Sequence, residues 1–186
     1  VFAAEDFVIE TRPRIVIGVG SGARSERGAC RGVVPAVDED VRAGAVRREV
    51  GGEEPDDVRD LDRLADATGA AVWASELEPV SRRGAQTFRE NAHFHLGALS
   101  VKTLFTTGHS PGQTTYFVKG LSWPLAVVGD SLFSCSLGSS PTGFLEQLGN
   151  NRSKIFTLPK DTVIACGHGP LTTLAQEKLH NPFYAR

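Results

Sequence analysis

Three short segments of this 186-residue chain each set one metal-capable side chain beside glycine. They are TTGHSPGQTTYF with His109, VVGDSLFSCSLG with Asp130, and ACGHGPLTT with His168. Glycine next to each candidate lets the backbone turn sharply and aim a side chain from a strand end into a shared cleft. Imidazole nitrogen together with carboxylate oxygen suits a borderline or hard divalent ion such as zinc, iron or manganese. A carboxylate between two imidazoles can bridge two ions, and paired ions can generate a hydroxide and hold the attacked oxygen. One loop histidine alone would signal little. Three such loops, each following a strand-like run, point to metal-assisted chemistry.

The elements that must position these loops are legible from periodicity. LDRLADATGA sets Leu61, Leu64 and Ala65 on one helical face and stops at Gly69. AAVWAS reads as a short strand, and HFHLGALSVKTLF as two strands joined tightly at Gly-Ala. TTYFV and PLAVVGD are further strands, the second an almost continuous apolar run of the buried kind. PTGFLEQLGNNRSKIF places Phe144, Leu148 and Ile155 at helical spacing, which predicts that this face packs on the sheet. DTVIACG predicts a last strand, and TTLAQEKLH a last helix capped by Thr172 or Thr173. Strands mixed with helices in this order imply a layered α/β or α+β domain, expected to span residues 1–186 as one unit.

Residues 18–60 have a different texture, drawn only from Gly, Val, Ser, Ala, Arg, Glu, Cys, Pro and Asp. Valine alone supplies large apolar surface there, so the segment can bury little and its backbone ordering is poorly offset. Three readings stand: a lid, a degenerate and loosely ordered region, or GC-rich codons read out of frame. A formal net charge of -2 with no Lys/Arg block excludes a generally basic nucleic-acid binder. No stretch approaches the run of about 20 apolar residues that a membrane helix needs. VFAAEDFVIE lacks the basic-then-apolar layout of a signal peptide, and Cys30, Cys135 and Cys166, widely spaced and odd in number, argue against a disulfide scaffold or a Cys-rich zinc module. A cytoplasmic location is the resulting expectation.

The remaining histidines and cysteines have plainer readings. His93 and His95 sit two apart on a strand and so share a face, which reads as a solvated face more readily than as a ligand pair. His180 falls at the end of the last helix, the favourable end of the helix dipole for a cation. Cys135 and Cys166 lie near the expected cleft and read as small packed residues rather than nucleophiles.

In order along the chain, TGHSPGQTTYF, VVGDSLF, LPKDTVIACGHGPLTT and EKLHNPF resemble successive motifs of the metallo-β-lactamase-fold hydrolases, on the branch that includes glyoxalase II-like enzymes. The resemblance runs from about Asp60 to the C-terminus and takes in DLDRLADATGAAVWASE. It implies an α+β fold, an αββα sandwich with the metals at one edge between two sheets. It also implies a small-molecule substrate whose ester, thioester, lactone, amide or phosphoester bond is attacked by a metal-bound hydroxide. Zinc is the implied ion, with manganese or iron as alternatives. By the same resemblance His109 is the third histidine of a first metal site, Asp130 the bridging carboxylate, and His168 a ligand of the second site. Because the chain ends soon after Leu179, the helical extension with which glyoxalase II holds glutathione is not expected.

The departure lies in GGEEPDDVRDL, residues 51–61. Where the family carries HxHxDH, an ungapped match sets Gly52 and Glu54 at the first two histidines. Asp56 falls on the aspartate, Asp57 on the last histidine, and Arg59 on the usual small residue. The resemblance therefore implies His109, Asp130, His168, Asp56 and Asp57 as metal ligands and Asp56 as the catalytic carboxylate, with two imidazoles missing. Such a set favours harder ions, and without any ion one of the converging aspartates would take up a proton. The plain reading of Asp56 and Asp57 is a solvated acidic turn after Pro55. Two functions stay open: a metal-dependent hydrolase, and a non-catalytic protein of the same fold that binds no metal.

Overall fold

Period-two alternation along three neighbouring strands builds two cores on opposite faces of one sheet. The computed structural model describes the backbone of residues 15–17, together with residues 71–79, 83–140 and 142–185. β1 (Ile15–Ile17), β2 (Ala71–Ser75) and β3 (Gln86–Phe88) form a parallel three-stranded sheet in that order. A six-stranded sheet follows in chain order: β4 (His93–Leu96), β5 (Leu99–Phe105), β6 (Thr114–Lys119), β7 (Leu125–Gly129), β8 (Val163–Cys166) and β9 (Thr172–Thr173). Its pairs are antiparallel except β7–β8, which is parallel. A parallel step requires a crossover. Residues 130–162 supply it, with α1 (Phe144–Ser153) and a 3₁₀ turn (Ile155–Thr157). α2 (Leu174–His180) closes the chain after β9.

Tyr116, Val118, Val127 and Ala165 point to one face and pack with Phe88 and Trp73 of the smaller sheet. Edge-to-face ring pairs, Trp73–Phe94 at 5.3 Å and Phe88–Tyr116 at 6.0 Å, lock that inter-sheet layer. Their neighbours Phe117, Ala126, Val128, Ile164 and Cys166 point the other way, under Ile155, Leu174, Phe156 and Tyr184. Each large side chain buried in this way stabilises the fold by roughly 1.5–3 kcal/mol. The described layers run sheet, sheet, helix, which is the expected α+β order. The helix expected over residues 61–69 lies outside the described residues.

Each segment expected as strand, 70–75, 93–105, 114–118, 124–130 and 161–167, contains strand, with ends that differ by up to two residues. The β4–β5 connection is tight because Gly97 takes φ 61°. Thr173 caps α2, its hydroxyl accepting from the Gln176 amide at 3.3 Å. The expected face of α1 is corrected. Phe144 and Leu145 are 40% and 80% exposed, while the fully buried positions are Gln147, Asn151 and then Ile155. These are spaced i, i+4, i+8, so the period is helical, but the side chains filling it are mostly amides. α1 lies over loop backbone rather than over a sheet face, and carbonyl groups there need donors more than apolar contact.

Candidate metal centre

The three Gly-framed loops all leave the same end of the larger sheet, after β5, β7 and β8. Asp130 directly follows β7 and is 1% exposed. His168 comes two residues after β8, and its Nδ1 stands 3.1 Å from Asp130 Oδ1 and 3.3 Å from Oδ2. A carboxylate oxygen only accepts, so the ring nitrogen donates to it. Phe133 meets the His168 ring edge-on at 6.2 Å, and the His168 side chain keeps 41% of its surface exposed. His109 is more enclosed, at 14%. Its Nδ1 donates to the Ser139 carbonyl at 2.6 Å, so in the neutral ring Nε2 carries the lone pair. That Nε2 faces Asp130 Oδ2 at 3.7 Å.

This last distance is informative. At 3.7 Å the nitrogen and oxygen are too far apart for a hydrogen bond. Two donor atoms, each about 2.0–2.2 Å from one shared ion, would be separated by a distance of this size. Locking one imidazole nitrogen on a backbone carbonyl so that the other presents its lone pair is also how metal-bound histidines are oriented. The residues therefore fit a divalent ion. Among the described residues, however, no three His, Cys, Asp or Glu side chains form a group that could hold a metal by themselves. The described chain supplies a partial ligand set. Asp56 and Asp57, expected to complete it, lie outside the described residues, as do Gly52 and Glu54.

No protein-family model matches the chain. Over 129 residues it is 31% identical to a probable metallo-hydrolase, YqgX, of Bacillus subtilis, covering 64% of this chain and 58% of that protein. It is 34% identical over 98 residues to the hydroxyacylglutathione hydrolase GloC of Haemophilus influenzae, covering 51% and 45%. Among solved structures, the BLEG-1 B3 metallo-β-lactamase superposes with a TM-score of 0.61 at 27% identity, over 70% of this chain and 73% of that one. The chain has the metallo-β-lactamase fold, and the proteins it is similar to include ones named metallo-hydrolase and hydroxyacylglutathione hydrolase. It spans about half the length of the curated relatives it matches.

A frame of amides and hydroxyls, not visible as chemistry in the sequence, holds the ligand loops. Gln147 Nε2 lies within 3.1–3.3 Å of the carbonyls of Asp130, Ser131 and Gly138. Asn151 Nδ2 donates to the Ser131 carbonyl at 2.6 Å, and Asn150 Nδ2 to that of Thr107 at 3.0 Å. The Glu78 carboxylate accepts from Ser110 Oγ at 3.2 Å and from the Gly112 amide at 2.9 Å, fixing the loop that carries His109. Ser131 Oγ bonds Thr106 Oγ1 at 2.8 Å, tying the His109 and Asp130 loops together. The only advance signal was the run of Gln and Asn inside a helical pattern, QLGNN at 147–151.

The glycines of these loops are places of close approach. Gly108 has φ 133°, and a Cβ there would lie 2.6 Å from both Cβ and N of Gln147. At Gly138 an added Cβ would lie 2.1 Å from the Asp130 carbonyl oxygen.

The EKLHNPF motif is also frame. Glu177 is fully buried. Its carboxylate accepts from Thr172 Oγ1 at 2.7 Å, Asn181 Nδ2 at 2.8 Å and the Cys135 amide at 3.0 Å. Asn181 Nδ2 also donates to the Ser136 carbonyl at 2.9 Å, so the end of the chain pins the Asp130 loop. His180 is exposed at the last turn of α2, and His93 and His95 are exposed on β4, as expected. Cys166 is a free, buried thiol whose pKa burial pushes up to about 12, which keeps it protonated and excludes it as a nucleophile.

Proposed function

We propose that His109, Asp130 and His168 are one side of a divalent-metal site that serves hydrolysis of an ester, thioester or related bond in a small molecule. The observation that carries this reading is the placement of the His109 ring. Bonded through Nδ1 to the Ser139 carbonyl, it turns Nε2 toward a buried carboxylate that a second imidazole also reaches. A bound ion would polarise the attacked oxygen and lower the pKa of water. The chain's own residues do the rest. Asp130, its carbonyl accepting from Gln147 Nε2 and the Gly138 amide, turns its carboxylate to both imidazoles. His109 is oriented by Ser139 and walled in by the helix start. His168, half open to solvent, marks the side from which a substrate enters.

Zinc suits the two imidazoles, whereas manganese or iron gains if Asp56 and Asp57 complete the set as oxygen ligands. Asp56 would then be the carboxylate to take up a proton from water. A glutathione thioester is one candidate substrate, since a relative carries the name hydroxyacylglutathione hydrolase. A second reading, a non-catalytic protein of this fold, is favoured by the absence of histidine from residues 51–61.

Elemental mass spectrometry of the purified chain, before and after dialysis against zinc, iron and manganese, separates the two. About one retained ion per chain, lost in His109→Ala and His168→Ala, supports the site and justifies a screen of thioesters, lactones and phosphoesters. No retained ion under any loading leaves only the non-catalytic reading. The substitutions Gly52→His, Glu54→His and Asp57→His, made together, then ask whether the loop can still reach the cleft.

A further inference from the structure

The outer face of β4–β6 carries a cleft that the metal site does not use. The 3₁₀ turn and α2 cover the outer face of β7 and β8, where Ala126, Val128 and Ile164 pack under Ile155 and Leu174. The β4–β6 half of that face is open, with a cleft of about 460 Å³ in it. This is within the range of roughly 300–1,000 Å³ typical of small-molecule sites. Phe117 and Leu104 lie buried among the lining residues, beside His93, Lys102, Lys119 and Lys154.

Strand register explains the juxtaposition. His93 faces Lys102 across β4–β5, and Lys102 faces Phe117 across β5–β6, so one cross-strand row reads His-Lys-Phe. The next row reads His95-Ser100-Lys119. Lys102 and Lys119 are thus diagonal neighbours on one face, about 7–8 Å apart at the backbone. Like charges on neighbouring positions of one face repel each other. Lys154 is neutralised by Glu90 at 2.6 Å and also donates to the Phe105 carbonyl. Among the described residues neither Lys102 nor Lys119 has an acidic partner at ion-pair distance. Lys119 instead leans over the Phe117 ring, 5.2 Å from its centroid. On a chain of formal net charge -2, this is a local excess of positive charge beside an aromatic side chain.

We propose that this cleft binds a small organic dianion, its phosphate-like head bridging Lys102 and Lys119 and a flat apolar group lying beside Phe117. The site is separate from His109, Asp130 and His168 and does not depend on the metal reading. Two ammonium groups on one face suit a tetrahedral dianion as point charges. An aromatic edge in the same cleft favours a ligand with a ring over inorganic phosphate.

Phenylphosphonate, added to the isotope-labelled full chain after chelator treatment, tests this by amide chemical-shift mapping. Chelation removes any ion at which a phosphonate could coordinate. Saturable shifts confined to residues 93–95, 100–104, 117–119 and 154 are expected, weakening with salt. Inorganic phosphate should bind the same residues several-fold more weakly. Lys102→Gln with Lys119→Gln should lower affinity about tenfold while the spectrum keeps its dispersion. If the pair disturbs folding, Lys119→Gln alone, at an exposed strand end, should lower it about threefold. Shifts centred on residues 106–110, 130 and 168 would overturn the proposal. So would unchanged affinity in the lysine variants, equal affinity for phosphate and phenylphosphonate, or no saturable shift.

Discussion

Gln147 offers a sharp test of the frame that carries Asp130. Its amide nitrogen is within donating distance of three carbonyls, at 3.1, 3.2 and 3.3 Å, and its side chain is fully buried. Gln147→Leu removes the donor, but two of the three acceptors keep another partner. The Asp130 carbonyl still accepts from the Gly138 amide at 3.0 Å, and the Ser131 carbonyl from Asn151. Only the Gly138 carbonyl is orphaned, so the expected loss is about 1–3 kcal/mol. Gln147→Glu has nearly the same shape and turns an acceptor-only carboxylate toward carbonyl oxygens. A buried charge without donors costs several kcal/mol, so this variant should fall below the leucine variant by at least about 2 kcal/mol at neutral pH.

The pH dependence has a defined sign. Burial among acceptors raises the carboxyl pKa of the introduced Glu in the folded state above its unfolded value. The folded state then holds more protons, so stability falls as pH rises from about 4.3 upward and is regained on acidification. The protonated acid can donate to the Gly138 carbonyl, which would bring the variant back toward the parent. Urea unfolding followed by fluorescence of the two tryptophans reads both effects. In heating experiments each kcal/mol corresponds to roughly 2–4 °C for a chain of this length. Equal stability of the two variants, with no pH dependence, would mean that the amide nitrogen does not face those carbonyls, and the frame described here would be wrong.

Three further outcomes follow from the same geometry. Gly108→Ala must place a methyl 2.6 Å from Gln147 at a φ of 133°, so it should cost at least about 2 kcal/mol and shift the His109 ring resonances in NMR spectra. Glu177→Leu removes the carboxylate that accepts from the Cys135 amide and the Thr172 hydroxyl, as well as one of the two acceptors of Asn181 Nδ2, and should cost about 3–5 kcal/mol in urea unfolding, while Glu177→Gln, which keeps one acceptor, should cost clearly less. Cys166, with its thiol pKa raised to about 12 by burial, should resist iodoacetamide until the chain unfolds. Because that pKa is higher in the folded state, its contribution to stability is present below the ordinary thiol pKa of about 8.5 and declines as pH rises above it.

What the sequence made legible depended on periodicity that burial on one face enforces. PLAVVGD and DTVIACG read correctly as strands because β7 and β8 are covered on both sides, which leaves only apolar side chains. His109, Asp130 and His168 are legible because each lies within four residues of a strand end, beside a glycine that close packing or backbone geometry requires. The α1 face was misread for a reason of the same kind. An apolar-periodicity rule assumes that a helix packs on side chains, and α1 packs on the carbonyls of the site loops, where Gln147 and Asn151 outcompete Leu148. β3, at only three residues, left no periodic trace. Glu78 and Ser139 act through a loop carboxylate and a backbone carbonyl, neither of which residue spacing can reveal.

Most of the motif residues in the described half have a packing reason to be what they are. Gly108 and Gly138 admit neighbouring backbone, Gln147 and Asn151 satisfy carbonyls, and Glu177 and Asn181 pin the loop after Asp130. A chain that had lost its chemistry would still need them to fold, so their presence does not separate an enzyme from a relic. His168 is different. Its side chain is 41% exposed, it touches Asp130 and the edge of Phe133, and no backbone group in the described frame depends on its ring. Its hydrogen bond to Asp130, made by a ring that is 41% exposed, contributes about 1–2 kcal/mol. His168→Ala should therefore leave urea stability within that margin while abolishing metal retention, if the site binds metal. A loss of several kcal/mol would show that His168 is frame like the others, and the strongest residue-level support for a metal centre in this half of the chain would fall with it.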